Sequence, residues 1–202
     1  MNDIFVFDDI VPDWLYNDIL KNITSLPVTF GHAGLGPSQG HALFTKVWSS
    51  NELPNLPWFF KSVFSVFEHN KSRLGDVTNI SLNQCQLNLS TQTLNGGLHV
   101  DCNPQAQAWT MVHLIAGDSG LDFWTELPER GGTKIHEVEY KDNRCVVFPS
   151  RLLHRGLAPV SIEPRASVGY IFSGTPPSQF AARNNIIFPI FKDEYNKIMN
   201  GG

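Results

Sequence analysis

The chain has 202 residues, 15 basic and 19 acidic side chains, and a formal net charge of −4. Apolar residues make up 42% and charged residues only 17%. This composition excludes a disordered chain and allows one core that buries roughly 70% of the unfolded surface. The acidic balance argues against holding nucleic acid by bulk charge, because phosphate binding needs a basic field. Cys85, Cys102 and Cys145 form no CxxC pair. That count suits a reducing compartment and argues against a disulfide scaffold or a zinc knuckle. The start, Met1-Asn2-Asp3-Ile4, carries acid where a secretory leader carries base. No apolar run approaches the ~18 residues of a membrane span, so the expectation is a cytoplasmic chain that crosses no membrane.

Ile4–Phe7 reads as a short strand. Asp13–Ser25 follows Pro12 and sets Trp14, Leu15, Ile19, Leu20 and Ile23 at helical spacing. Val28–His41 contains Gly31, Gly34, Gly36, Pro37 and Gly40, the composition of a loop. It lacks a Gly-Lys-Ser/Thr ending, so it is no phosphate loop, and surface loop or lid are its two readings. Ala42–Trp48 reads as a strand. Trp58–Asn70, with Phe59, Phe60, Val63, Phe64, Val66 and Phe67, reads as a buried helix.

From Val77 the texture changes. Short apolar or alternating runs recur at Ile80–Leu89, Trp109–Ala116, Leu121–Trp124, Lys134–Tyr140, Arg144–Phe148, Leu152–Leu157 and Arg165–Phe172, separated by Gly-, Asn- and Asp-rich turns. That rhythm predicts an antiparallel sandwich or barrel. The predicted architecture is one domain: a helical support layer over 1–76, a barrel core over 77–174 and a tail over 175–202, with Asp193–Met199 as a candidate last helix.

One motif carries chemistry. In a strand, His99 and Asp101 of His99-Val100-Asp101 project from the same face. An imidazole and a carboxylate there supply two ligands for a divalent metal. A third from a distant strand leaves open positions, the arrangement of non-haem Fe(II) oxygenases. By itself one such pair is expected by chance in a chain with seven histidines. Its context adds weight, because it follows Gly96-Gly97 and precedes Asn103-Pro104, beside a loop. The candidate third ligand is His154, 53 residues beyond Asp101. Eleven residues further comes Arg165-Ala166-Ser167, where the Arg is placed to pair with a carboxylate and Ser167 to add a hydroxyl on the same face.

His99-Val100-Asp101, His154 and Arg165-Ala166-Ser167 together resemble the His-x-Asp…His…Arg-x-Ser signature of the Fe(II)/2-oxoglutarate-dependent oxygenases. The stretch Phe148-Pro149-Ser150…His154…Pro159-Val160…Arg165-Ala166-Ser167 is similar to the prolyl-4-hydroxylase-like branch. The likeness covers about Ser81 to Phe172. It implies a mainly β fold with N-terminal helices, a distorted double-stranded β-helix (a jelly-roll, cupin-like barrel) with the helices packed on one sheet. It implies Fe(II) held by His99, Asp101 and His154, and 2-oxoglutarate anchored by Arg165 and Ser167. O2 is the oxidant and ascorbate a candidate reductant. The implied reaction hydroxylates a C–H bond of a peptidyl proline, an amino acid or another small molecule and yields succinate and CO2. The carboxylate of Asp101 argues against the halogenating branch, which lacks it.

The chain departs from the family upstream of the iron motif. Relatives often carry Asn-x-Tyr where this chain has Asn88-Leu89-Ser90. Asn88 carries over; the phenol does not, and Gln86 or Thr110 are the alternative donors. Arg155 reads as structural, Trp109 and Trp124 as core, and His113 and His136 as non-ligands. A cupin-like barrel that binds metal without 2-oxoglutarate is the competing reading. Its usual His-x-His is absent from this chain, and it has no use for Arg165.

Overall fold

The computed structural model describes residues 4–30, 43–70, 78–91, 95–102, 108–175 and 186–187. Among them, eleven strands and two α-helices follow one another as β1 (Phe5–Asp8), α1 (Asp13–Ile23), β2 (Thr29–Phe30), β3 (Leu43–Trp48), α2 (Trp58–His69), β4 (Thr78–Ser90), β5 (Ala108–Ala116), β6 (Leu121–Trp124), β7 (Lys134–Val138), β8 (Arg144–Pro149), β9 (Leu153–Gly156), β10 (Arg165–Thr175) and β11 (Ile186–Ile187). The large sheet runs β11-β1-β8-β5-β10-β4-β3-β2, and the small one β7-β6-β9. The β1–β11 pair is parallel; the other named pairs are antiparallel. No helix among the described residues is long and apolar enough to cross a membrane.

Both helices start directly after a proline, whose fixed φ and missing N–H suit a helix entry. Asp13 in the first turn and Lys21 in the last favour the dipole of α1. Its buried stripe is Leu15, Ile19 and Ile23, four residues apart. Helix α2 buries Phe59, Phe60, Val63, Phe64, Val66 and Phe67. Phe64 stacks on Tyr170 at 6.0 Å, Phe67 lies 5.2 Å from Phe172, and Phe60 meets Trp48 edge-on at 5.9 Å. These contacts fasten α2 to the outer face of β10 and β3.

The central strands of the large sheet are buried on both faces, which is why β5 shows an unbroken buried run. Trp109, Met111 and Ile115 face the helices, together with Cys145 and Val147 of β8. Val112, Leu114, Val146 and Phe148 face the small sheet, where they meet Leu121, Phe123 and Val138. Two cores thus flank one sheet.

The strands read at Ile4–Phe7 and Ala42–Trp48 join the large sheet as β1 and β3, and the sequence expectations change in two places. Thr29–Phe30, at the start of the expected loop, pairs with β3; the rest of the candidate lid, 31–41, lies outside the described residues. Within 175–202, Ile186–Ile187 returns to pair with β1, and Asp193–Met199 lies outside the described residues.

Asn143 ties the barrel to its N-terminal layer. It sits in the left-handed region at φ 58°, a conformation Asn tolerates. Its Nδ2 donates to Val11 O at 2.7 Å, and its Oδ1 accepts from Val11 N at 3.3 Å. Oδ1 also lies 3.2 Å from His113 Nε2, and a carbonyl oxygen only accepts, so Nε2 carries the proton. His113 Nδ1 is then a buried lone pair without a partner. Burial pushes the imidazole pKa down to about 4. The unfolded chain, titrating near 6.5, binds this proton first, so stability is lost as pH falls from about 6.5 toward 4. Thermal unfolding across that range is expected to show a loss of about 3 kcal/mol in wild type relative to His113→Gln. Parallel pH profiles for the two proteins would overturn this assignment.

Candidate metal centre and its cavity

The space between the sheets is filled unevenly. Toward β1 and β8 it holds Val6, Val146, Phe148 and Phe123. Toward β10 and β4 the inward side chains are Arg165, Ser167, Gln86 and Asn88, with Gly169 between, and a cavity of about 80 Å³ remains. His99, Asp101, Thr110, His154 and Gly156 complete its polar wall.

His99, Asp101 and His154 come together here, with ligand atoms within 4.8 Å of one another. The local backbone differs from the strand expected. His99-Val100-Asp101 lies outside the named strands and has one antiparallel bridge, between His99 and His154. His99 N donates to His154 O at 3.0 Å, and His154 N returns the bond to His99 O at 3.0 Å. Asp101 N donates to Ser150 O at 2.8 Å. Pinning at 99 and 101, not membership of a sheet, aims both side chains at one point.

Hydrogen bonding fixes both imidazole tautomers. His99 Nδ1 lies 2.7 Å from Gly97 O, and His154 Nδ1 lies 2.8 Å from Leu152 O. A carbonyl can only accept, so each Nδ1 carries a proton and each Nε2 is left for the cavity. Nε2 of His99 is 3.3 Å from Asp101 Oδ1, and Nε2 of His154 is 3.4 Å from Oδ2. Burial lowers the pKa of His154, which keeps its Nε2 a lone pair. Burial opposes charge on His99 too, but the Asp101 carboxylate overcomes it and raises that pKa. Burial likewise opposes ionisation of Asp101, yet both histidines and the Thr110 hydroxyl hold its pKa down at about 2. Two imidazole Nε2 atoms and one carboxylate converge on one point. Two nitrogens and one carboxylate fit a divalent iron.

Two hydroxyls fix the carboxylate. Thr110 Oγ1 lies 2.6 Å from Asp101 Oδ2 and 2.9 Å from Ser150 Oγ. A carboxylate only accepts, so the Thr110 proton goes to Asp101 and Ser150 must donate to Thr110. Thr110 and Ser150 are both buried. Sequence reasoning offered Thr110 as a donor to 2-oxoglutarate; its single proton is already committed.

The other end of the cavity holds a buried cation. Arg165 is 4% exposed. Its Nε donates to Ser119 O at 2.9 Å and its Nη1 to Ser167 Oγ at 3.1 Å, while Nη2 has no partner among the described residues. No carboxylate pairs with it among the described residues. Burial draws its pKa down to about 10, so it stays charged at neutral pH. Two glycines make room for it. A Cβ at Gly156 would sit 2.9 Å from Arg165 Nη1, and one at Gly117, where φ is 118°, would sit 2.9 Å from Arg165 Cα. Gly156, Gly117 and Ser150 were not singled out in the sequence. Gly156 was the most accessible of them, since it follows His154 by two residues and so shares its face of β9.

The remaining candidates fall outside the cavity. Arg155 makes a two-pronged pair with Asp122, Nε to Oδ1 and Nη2 to Oδ2 at 3.0 Å each, and covers Trp124 at 5.4 Å. Trp109 belongs to the helix-side core. Ser90, at the position of the family's Tyr, pairs in register with Arg165, and its buried hydroxyl has no partner.

No protein-family model and no curated protein matches this sequence. Solved structures do. The non-haem α-ketoglutarate-dependent epimerase SnoN from nogalamycin biosynthesis aligns over 96% of this chain and 92% of its own, with TM-score 0.64 and 10% identity. HygX from Streptomyces hygroscopicus, with nickel, 2-oxoglutarate and hygromycin B bound, aligns over 90% and 85%, with TM-score 0.61 and 11% identity. A prolyl hydroxylase from Trichoplax adhaerens, in complex with a hypoxia-inducible-factor peptide, aligns over 86% and 84%, with TM-score 0.56 and 14% identity. The chain has the fold of the Fe(II)- and 2-oxoglutarate-dependent oxygenases. At such identities the likeness is one of fold, and the oxygenase fold here is the jelly-roll barrel expected from the sequence.

Partners that orient metal ligands contribute strongly to affinity. Thr110→Val is therefore expected to weaken divalent-metal binding about 10- to 100-fold, while Thr110→Ser, which keeps the hydroxyl, stays near wild type. Calorimetric titration with Mn(II) reads this directly, and equal affinities for Val and wild type would remove Thr110 from the site.

Proposed function

We propose that this protein is an Fe(II)- and 2-oxoglutarate-dependent dioxygenase that hydroxylates a C–H bond of a small-molecule or peptide substrate. One oxygen atom of O2 goes to the product and the other to succinate, as 2-oxoglutarate loses CO2. The observation that carries this reading is charge. A divalent ion at His99, Asp101 and His154 is offset by one carboxylate only, and Arg165 adds a further positive charge in the same cavity. Two positive charges are left over, and a dianion that bridges them neutralises both. 2-Oxoglutarate is such a dianion. The cupin-like alternative explains the triad but leaves the guanidinium buried, unpaired and without a use.

In this reading each residue has one task. His99, Asp101 and His154 would hold Fe(II), which when bound supplies the redox chemistry that activates O2. Their backbone-bonded Nδ1 protons keep Nε2 free for the metal. Thr110 donates to Oδ2 of Asp101 and so would hold the carboxylate toward the metal. Arg165 and Ser167 would bind the distal carboxylate of 2-oxoglutarate, with Gly156 and Ser119 holding the guanidinium in place. Asn88 lines the same cavity.

The test is succinate formation from 2-oxoglutarate after anaerobic Fe(II) loading and admission of O2. Wild type is expected to show slow turnover even without its prime substrate, and Asp101→Ala none. Arg165→Ala is expected to need roughly tenfold or more 2-oxoglutarate, the loss that a hydrogen bond to a charged group carries. Gly156→Ala shifts the requirement in the same direction, because its methyl displaces the guanidinium. Fe(II) binding by wild type with no calorimetric binding of 2-oxoglutarate would give the cupin-like reading the lead.

A further inference from the structure

The charges at the centre cancel once the site is complete. On the function proposed above, a divalent metal and Arg165 are positive, and Asp101 and the two carboxylates of 2-oxoglutarate are negative. The loaded centre then has no net charge with which to select a substrate. Selection falls to the wall beside the metal cluster.

That wall is the part of the large sheet next to the opening, where the His99 side chain is 38% exposed. On β10, Tyr170 and Phe172 belong to the helix-side core, so Ile171 and Ser173 face the other way, and Ile171 lines the cavity. Ile171 is level with Thr110 of β5, which holds Asp101, and with Gln84 of β4. Cys85 and its partner Trp48 lie in the helix-side core, so Gln84 and, on β3, Val47 and Thr45 share the face of Ile171. Thr45 is buried and the other four are half-buried. None of the five carries a charge. The charged residue of β3, Lys46, is on the opposite face, over Trp48 at 5.7 Å and 3.6 Å from Glu52. Arg151, beside Ser150 in the turn before β9, is exposed, where water and salt screen it.

The sequence shows the same depletion. From 77 to 117 Asp101 is the only Asp, Glu, Lys or Arg, and from 165 to 182 Arg165 is. Charged residues make up 17% of the chain, so at the average rate each span would carry several. These spans contain all of β4, β5 and β10, and their two charges are the two groups of the site. A charge on the reacting part of a substrate would lose its water here and meet no counter-charge on the wall among the described residues, which is costly. Hydroxyl and amide groups meet partners of their own kind and lose little.

We propose that the substrate is uncharged where it reaches the metal: a neutral compound bearing hydroxyl or amide groups, and not a free amino acid. This inference rests on the function proposed above. Of the substrate classes consistent with the sequence it removes the free amino acid, which carries an ammonium and a carboxylate on one carbon.

The first experiment loads the full chain with Fe(II) and 2-oxoglutarate, admits O2 and measures succinate with compounds matched in shape and differing in charge. N-acetylprolinamide is set beside N-acetylproline, prolinamide and proline, and methyl glucoside beside its glucuronide and glucosaminide counterparts. The neutral member of one set is expected to stimulate succinate formation, and its charged counterparts at least about tenfold less. Which set responds separates the amide source from the hydroxyl source. Equal stimulation by a charged member, or none by either neutral compound, would overturn the proposal.

The second experiment needs no turnover. Protein loaded with redox-inert Zn(II) meets neutral, anionic and cationic nitroxides of one shape, and relaxation of the Ile171 methyl signals reports how closely each approaches. Without 2-oxoglutarate the anionic probe is expected to be enriched about threefold over the neutral one, drawn by the metal and Arg165. With 2-oxoglutarate bound, the three probes are expected to agree within about twofold. A charge preference that persists while calorimetry shows 2-oxoglutarate bound overturns this inference alone. If the protein binds Zn(II) but no 2-oxoglutarate, this inference and the proposed function fall together.

Discussion

A guanidinium buried without an acid beside it is costly, and much of the barrel's interior is arranged around that fact. Removing a charge from water is unfavourable unless hydrogen bonds and an opposite charge replace what water supplied. Arg165 donates hydrogen bonds to Ser119 O and Ser167 Oγ, but has no opposite charge beside it among the described residues. The glycines at 117 and 156 remove the side chains that would otherwise occupy its place. A chain that keeps such a group in its interior has it in a state completed by an anion. The same reasoning applies to the three facing donors at the other end of the cavity, where the missing partner is a cation. The two deficits have opposite sign and lie within one enclosure, so a ligand that is both chelator and carboxylate satisfies them together.

The two-faced strands make this enclosure possible. Along β10 the even residues Ala166, Val168, Tyr170 and Phe172 close the helix-side core, and the odd residues Arg165, Ser167 and Gly169 line the cavity. Helix α2 presses its phenylalanines on the first set, so β10 cannot slip by one residue without exchanging core for cavity. Packing energy on one face thereby sets the position of polar groups on the other. The apolar filling by Val146, Phe148 and Phe123 performs the same service from the side, since Phe148 also packs against the ring of His154 at 4.5 Å.

What could be read from the sequence follows this division. Alternation and turn residues marked β5, β6, β8 and β10 nearly to their ends, because strands covered on both faces leave long apolar runs. His99, Asp101, His154, Arg165 and Ser167 were legible because few residue types can perform their chemistry. The supporting contacts were not legible. Gly97 O and Leu152 O fix the imidazoles through backbone atoms that any residue carries. Ser150 reaches Thr110 across 40 positions, a pairing set by strand register. Arg165 was expected to pair with a carboxylate, and only the packed fold shows that none among the described residues does so. The strand expected at His99–Asp101 reduces to one bridge, and backbone bonds to His154 and Ser150 hold the two residues where a ladder was expected.

Strand β9 joins the two ends of the cavity. His154 and Gly156 lie two residues apart on its inner face, one a metal donor and the other the seat of the guanidinium. The segment before Asp101 is bonded to this strand at both places, Gly96 N to Gly156 O at 2.8 Å and His99 with His154 at 3.0 Å. A displacement of β9 therefore moves a metal ligand, its neighbour His99 and the wall behind Arg165 together. The spacing between the His99, Asp101 and His154 cluster and the Arg165 guanidinium is held by this short strand and its two-point clamp. That is why so few side chains suffice to define the site.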